Sequence, residues 1–269
     1  MDSLESKVVL VTGATDGLGR GLVRALAARR ATVLVHGRDA ERAKAVATDL
    51  RALGAREVRV YLADLASLKE VRALASSVRA SEPRLDVLVN NAGIGTTVPT
   101  KDRAESRDGI ELRFAVNYLS HYLLTRELTA LLKRSAPARI VNVSSLGQAA
   151  IDFEDPMLTR GYSGIRAYCQ SKLAQILHTI DLAAELASSG VTANVLHPAT
   201  FMPTKIVANP ISTIEDGVRA TMRLVADESL SSVTGKYFDG VREAKADPQA
   251  YDVEARAKLR ALSERLVGS

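Results

Sequence analysis

Tyr168 and Lys172 lie four residues apart in Tyr168-Cys169-Gln170-Ser171-Lys172, at the start of a helical pattern, so both side chains project from one face a turn apart. A tyrosine of ordinary pKa, about 10, is a poor base at neutral pH, but a neighbouring ammonium stabilises its phenolate and lowers that value. The pair is a candidate proton donor and acceptor, and of the seven tyrosines only Tyr168 has lysine at the fourth following position. Taken alone it fits equally a surface tyrosine beside a solvated lysine. A second candidate is the run Val141-Asn142-Val143-Ser144-Ser145, an apolar strand closed by two hydroxyls. At the carboxyl end of a parallel strand a hydroxyl can bond a substrate oxygen, or simply begin a turn. Asn117 is an amide in the apolar stretch from Leu112 to Leu132. Burial there demands a hydrogen bond, which backbone or a reaction centre could supply.

Thr12-Gly13-Ala14-Thr15-Asp16-Gly17-Leu18-Gly19 joins the run Val8-Val9-Leu10-Val11 to a segment in which Leu22, Val23, Leu26 and Ala27 recur at helical spacing. Strand, glycine turn and helix together let backbone N–H groups and a helix N-terminus meet a pyrophosphate. The expected ligand is a dinucleotide, although the glycines are spaced G-x-x-x-G-x-G and not G-x-G-x-x-G. No metal is expected. The histidines at 36, 121, 178 and 197 show no ligand spacing, and Cys169 is the only cysteine.

These residues need elements to position them, and the chain alternates short β-branched runs with helical periods. Strands are predicted at Val8 to Thr12, Thr32 to His36, Glu57 to Leu62, Asp86 to Asn90, Arg139 to Ser144, Thr192 to Leu196 and Gly235 to Phe238. Helices are predicted near 18–30, 40–53, 67–80, 109–133, 166–188, 213–227 and 251–266. Continuous runs such as Val87-Leu88-Val89 mark strands buried on both faces, hence an α/β fold with a parallel sheet covered by helices. No linker divides the 269 residues, so one domain is expected, with long loops at about 148–165 and 197–212.

The N-terminus has no signal-like apolar core and no run is long enough for a membrane span, so a cytoplasmic protein is expected. Thirty-six Lys and Arg against 31 Asp and Glu give +5, but the charges are interspersed without a basic run or aromatic interleaving, which argues against nucleic acid.

TGATDGLG at 12–19, Asp64 after the third strand, NNAG at 90–93, Asn117, VNVSS at 141–145, YCQSK at 168–172 and HPAT at 197–200 occur in that order. In this the chain resembles the short-chain dehydrogenase/reductase family over nearly its whole length. The texts AYCQSKLAQIL, HPATFMPTKI and GKYFDG resemble its retinol-dehydrogenase-like branch. The resemblance implies a single doubly wound Rossmann-type domain with a seven-stranded parallel sheet. It implies hydride transfer between a nicotinamide and a small carbonyl or alcohol substrate. Tyr168 would exchange the proton, Ser145 would hold the reacting oxygen, Lys172 would bind the nicotinamide ribose and depress the tyrosine pKa, and Asn117 would position a relay water. Gly13, Thr15, Asp16, Gly17, Leu18 and Gly19 would cradle the pyrophosphate. Asp64 and Leu65 would lie at the adenine, and Asn91, Ala92 and Gly93 beside the ribose. With all four catalytic positions filled, an active enzyme is expected ahead of a cofactor-binding scaffold.

Family members that use NAD carry an acid at the end of the second strand, whereas a basic residue there suits the 2′-phosphate of NADP. Here Gly37 takes the acid's place and Arg38 follows, which favours NADP(H); Asp39 keeps NAD(H) in play but is also the expected cap of the next helix. Three departures stand out. Pro198-Ala199 replaces the family's Pro-Gly; Pro203 falls where a carboxamide-binding threonine is expected, leaving Thr200 or Thr204 for that contact; and 152–165 adds a loop at the substrate mouth. Phe201, Met202, Ile206 and Val207, with Ile151 and Phe153 opposite, either line an apolar pocket or pack the loops. The helix from Leu112 to Leu132 is apolar on more than one face, to be buried within the chain or, as in a homodimer or tetramer, against another subunit.

Overall fold

In the computed structural model residues 3–97, 99–204 and 209–268 are described. Val8–Val11 (β1) is buried at every position and lies in the interior of the sheet, paired in parallel with Thr32–Gly37 (β2) through Val9↔Val33 and with Val87–Asn90 (β4) through Val9↔Val87. Glu57–Leu62 (β3) flanks β2, and Ala138–Val143 (β5), Val191–His197 (β6), Tyr237–Asp239 (β7) and Arg242–Ala244 (β8) follow β4, giving the order β3-β2-β1-β4-β5-β6-β7-β8. The order reverses between β1 and β4. A crevice outside the carboxyl ends of these strands is the expected ligand position in a doubly wound sheet.

Pleating sends alternate β residues to opposite faces. Val9, Val11, Val33, Val35, Val141 and Val143 pack under Gly17–Ala28 (α1), Ala40–Ala52 (α2) and Ile214–Ala226 (α6). Leu10, Leu34, Leu88, Ile140 and Val195 pack under Leu68–Ser81 (α3), Ser120–Arg134 (α4), Gly164–Glu185 (α5) and Val253–Val267 (α7). Side-chain caps start these helices where the sequence places Asp, Ser or Thr: Asp39 accepts from Arg42 N on α2, Ser163 from Arg166 N on α5, and Thr213 and Asp216 form a reciprocal box on α6.

Two features differ from the sequence expectation, and a third falls on one of the alternatives it left open. The sheet has eight strands, because β8 returns antiparallel to β7 through a two-residue turn that begins with Gly240 at φ 56°. Arg242 and Glu243 are charged and exposed because an edge strand needs no fully buried face, so the segment lacks a strand pattern. The helix expected at 109–133 is wound as a π-helical segment over Phe114–Leu119 before continuing as α4. Its second face is buried inside the chain. Tyr118 on that segment hydrogen-bonds Ser263 of α7 at 2.7 Å, and the Tyr122 ring meets His178 of α5 edge-on at 4.9 Å.

Candidate active site

The glycine turn is shaped by steric necessity. Gly13 has φ 64°, and a Cβ there would lie 2.9 Å from the Ala92 Cα; one on Gly19 would lie 2.2 Å from the Gly13 carbonyl oxygen. Asn91 ties the turn to the end of β4, its Nδ2 donating to Thr12 O at 2.8 Å and Gly13 O at 3.3 Å. Asp16 caps α1 by accepting from Gly17 N at 2.8 Å, while Leu18 is buried in the core. The N-terminus of α1 thus opens beside Thr15 and Gly17 at the carboxyl end of β1, with no acidic residue in the helix's first turn.

Across the crevice β5 ends in the two serines, and they part company. Ser144 is buried and donates to Lys172 O at 2.8 Å. Ser145 is half-buried; its Oγ accepts from Gly147 N at 3.0 Å, and a Cβ on Gly147 would lie 3.5 Å from that Oγ and 3.8 Å from Tyr168 Cε1, so the two side chains flank the same glycine. Helix α5 carries Tyr168 and Lys172 on one face, with the Lys172 Nζ 5.8 Å from the tyrosine ring centre. The Nζ is held by Val143 O at 2.9 Å and Gln175 Oε1 at 3.1 Å, two partners for three potential donors. Burial pulls the Lys172 amine down to about 7. Burial also raises the Tyr168 hydroxyl, with the neighbouring Ser145 hydroxyl opposing it. The lysine was expected to depress the tyrosine pKa; in this arrangement burial raises it, and Lys172 is not among the groups that shift it.

Asn117 sits in the π-helical segment with no exposure. Both amide N–H are engaged, Nδ2 donating to Ile94 O at 3.1 Å and Ser171 Oγ at 3.0 Å, while Oδ1 accepts from Ile94 N at 2.8 Å. The side chain therefore fastens the segment after Gly93 to α5, with one acceptor site of Oδ1 left beside the expected position of a relay water. Its backbone carbonyl faces His121 Nδ1 at 3.1 Å. Gly93 lies over the centre: a Cβ there would be 3.2 Å from Asn117 Oδ1 and 3.6 Å from Lys172 Nζ. A π-bulge that carries a candidate functional residue is a recurrent association.

At the end of β2, a Cβ on Gly37 would meet the Thr15 methyl at 2.6 Å, so a carboxylate side chain has no room there. Arg38 next to it is exposed. Asp39 is committed to α2, accepting from Arg42 N at 3.0 Å. Asp64 accepts from Ala66 N at 3.0 Å and faces Arg107 at 3.6 Å, with Leu65 buried beside it. His36, which no motif singled out, links the three strand ends: its Nδ1 accepts from Gly13 N at 3.2 Å and its Nε2 donates to Ala63 O at 3.2 Å. That pattern requires a neutral ring, and burial holds its pKa down to about 4.

After β6, Pro198 is buried and Thr200 Oγ1 is bonded to the His197 ring at 3.0 Å. Thr204 lies over the glycine turn, its methyl 3.1 Å from where a Gly17 Cβ would be. Of the two threonines it is Thr204 that reaches the crevice. Ile151 is buried in the core with Phe153 packed against it, so both serve packing, as does Met202; Phe201 is exposed, and Ile206 and Val207 lie outside the described residues.

Sequence reasoning passed over one further group. Arg113 is wholly buried; its Nε donates to Gly95 O at 2.8 Å, one terminal nitrogen to Tyr162 Oη at 2.5 Å, and the other to Thr96 O at 2.7 Å and to Thr100 O. Tyr162 in turn donates to Glu111 Oε1 at 2.9 Å. This cluster ties the loop after β4 to the 148–165 loop at the crevice. An Arg flanked by apolar residues, Leu112 and Phe114, was its only sequence trace. Tyr237 and Gln148 were likewise missed; they bond the Ser145 carbonyl at 3.2 and 3.1 Å and fix the strand end.

Comparison with known proteins agrees with this arrangement. The family model described as short chain dehydrogenase matches residues 7–215. Retinol dehydrogenase 13 of Homo sapiens is 39% identical over 99% of this chain and 86% of its own length. Among solved structures, an uncharacterized protein of Mycobacterium paratuberculosis superposes with a TM-score of 0.81 at 32% identity, covering 100% of this chain and 96% of the other. The Pseudomonas aeruginosa RhlG/NADP active-site complex gives 0.69 at 27%, covering 88% and 95%.

Proposed function

This chain belongs to the short-chain dehydrogenase/reductase family and is an NAD(P)-dependent oxidoreductase, and on that premise we propose that it moves hydride between NADP(H) and the carbonyl or alcohol carbon of a small apolar substrate. The observation that carries the reading is the juxtaposition of Ser145 and Tyr168 about Gly147, with Lys172 behind the tyrosine, at the carboxyl end of β5 across from the glycine turn. The nicotinamide, when bound, supplies or accepts the hydride. Ser145, oriented by Gly147 N, holds the substrate oxygen. Tyr168 gives that oxygen a proton in reduction and takes it in oxidation. With the cofactor bound, Lys172 would hold the nicotinamide ribose, the glycine turn and the α1 N-terminus would receive the pyrophosphate, and Asn117 would keep Gly93 beside the ribose.

The fit to NADP rests on two facts at the end of β2. Thr15 fills the space that an acid for the 2′-hydroxyl would need, and exposed Arg38 presents a planar fork suited to a 2′-phosphate. The solved relative that is an NADP complex points the same way. Exposed Leu146, Ile165 and Phe201, 50%, 65% and 58% accessible, stand after Ser145, one turn before Tyr168 and after β6, and support an apolar substrate. A relative named for retinol, an apolar alcohol, is consistent with this.

The test is a panel of apolar ketones, aldehydes and alcohols with both cofactors. The reading requires turnover that Tyr168→Phe abolishes while NADPH still binds, with NADPH tighter than NADH. Cofactor binding without turnover of any panel member would replace it with a non-catalytic sensor.

A further inference from the structure

Beneath the candidate site a chain of buried polar groups links two elements that the proposed chemistry uses separately. It begins at Lys172 Nζ, 3.1 Å from Gln175 Oε1. Gln175 Nε2 is 3.3 Å from His121 Nδ1, and His121 Nε2 is 3.3 Å from Thr12 Oγ1. Thr12 Oγ1 accepts from Asn91 N at 2.9 Å and Ala92 N at 3.0 Å, the backbone beside the glycine turn. Thr12, His121, Lys172 and Gln175 are at most 4% exposed, so water does not complete their hydrogen bonds from the surface.

Counting donors and acceptors along this chain gives two arrangements. With Lys172 as an ammonium, Gln175 must turn its oxygen to the lysine and its N–H to His121 Nδ1. The imidazole then carries its proton on Nε2 and becomes a third donor to Thr12 Oγ1, whose own proton is left to Val89 O at 3.4 Å. The unprotonated Nδ1 also faces the Asn117 carbonyl at 3.1 Å, lone pair to lone pair. With Lys172 neutral, the amine keeps two N–H and gains a lone pair, which frees Gln175 to turn over, offering N–H to that lone pair and oxygen to His121. The ring proton moves to Nδ1, where Asn117 O and Gln175 Oε1 both accept it, and the Thr12 hydroxyl donates to Nε2. The imidazole is then satisfied at both nitrogens, and Thr12 accepts twice and donates once.

We propose that Gln175 and His121 are positioning residues that couple the charge on Lys172 to the hydroxyl orientation of Thr12, through the amide flip of Gln175 and the tautomer of a permanently neutral His121. The groups that bear on the coupling are few. Tyr168 faces Lys172 from its own helix, His121 faces it from α4, and β5 offers it only the Val143 carbonyl; His36 faces His121 from the end of β2. Burial keeps the imidazole of His121 uncharged, down to about 3, with Lys172 acting in the same direction. A proton gained or lost by Lys172 is thereby expressed at Asn91 and Ala92 without any net charge crossing the sheet. The coupling belongs to the protein without cofactor; only its consequence for hydride transfer rests on the function proposed above.

The test is an NMR titration of the cofactor-free protein, following Lys172 through its ¹³Cε shift and the His121 tautomer through two-bond ¹H–¹⁵N correlations. The expected result is a His121 that stays neutral yet exchanges its Nε2–H for its Nδ1–H form as pH rises, with the same midpoint as Lys172. Gln175→Met, which keeps the volume and removes the bridge, should leave Lys172 titrating and His121 fixed in the Nδ1–H form. A wild-type His121 that keeps one tautomer while Lys172 titrates would overturn the proposal, and so would an exchange that persists in Gln175→Met. Neither reading depends on turnover, so failure here is separable from failure of the oxidoreductase assignment.

Discussion

His178→Phe should stabilise the protein, and more so in acid. His178 lies on α5 between α4 and α7, its ring edge-on to Tyr118 at 6.2 Å and to Tyr122 at 4.9 Å, and its Nε2 is buried with no hydrogen-bond partner among the described residues. Burial, and after it the charge of Arg126, lowers its pKa to about 3. The unfolded chain binds a proton at about 6.5, so between that value and the folded one the unfolded state holds the extra proton. Stability contributed by the neutral ring is therefore present above about pH 6.5 and is lost as pH falls toward the folded value. At pH 5 the unfolded state gains about 2 kcal/mol from protonating this one histidine, against about 0.2 kcal/mol at pH 7. Phenylalanine keeps an aromatic ring against the two tyrosines, abolishes that pH term, and removes an unsatisfied buried polar atom that costs about 1 kcal/mol or more at any pH. Urea unfolding of wild type and variant at pH 7 and pH 5 measures both contributions. The variant should gain about 1 kcal/mol at pH 7 and about 3 kcal/mol at pH 5. Equal losses of stability between the two pH values in both proteins would refute the reasoning, since the buried ring would then not be the group that takes up the proton.

Arg38→Ala should weaken NADPH binding tenfold or more, about 1.5–3 kcal/mol for a charge-assisted bond, and leave NADH within about twofold; fluorescence titration with each cofactor decides. Gly19→Ala places a methyl 2.2 Å from the Gly13 carbonyl, so binding of either nicotinamide should be lost with the turn distorted, read by the same titration and by thermal melting. Arg113→Met leaves Glu111 buried without its guanidinium and should cost about 3–5 kcal/mol in urea unfolding, whereas Tyr162→Phe should cost only about 1–2 kcal/mol.

Much of this molecule is legible in its sequence because its strands are buried on both faces. Continuous runs such as Val8–Val11 and Val87–Asn90 can be satisfied only inside a parallel sheet, and the helical periods between them supply the cover. Glycine at 13, 17 and 19, the serine pair, and the Tyr168–Lys172 spacing are local facts, so the candidate site was readable where one turn or one helix face fixes it. What depended on distant segments meeting was not. β8 pairs through an edge that carries no hydrophobic signature, and the second face of α4 is closed by α7, more than a hundred residues downstream. The lysine reads as a charged partner for the tyrosine until burial by α4, α5 and β5 shows it to be an amine near neutrality. Asn117 reads as an amide that backbone or a reaction centre could satisfy until Ile94 and Ser171 are seen to take both of its N–H. Sequence determined which groups are present and which element carries each. Tertiary structure decided their solvation and partners, because desolvation and hydrogen-bond saturation are properties of a three-dimensional neighbourhood and not of spacing along the chain.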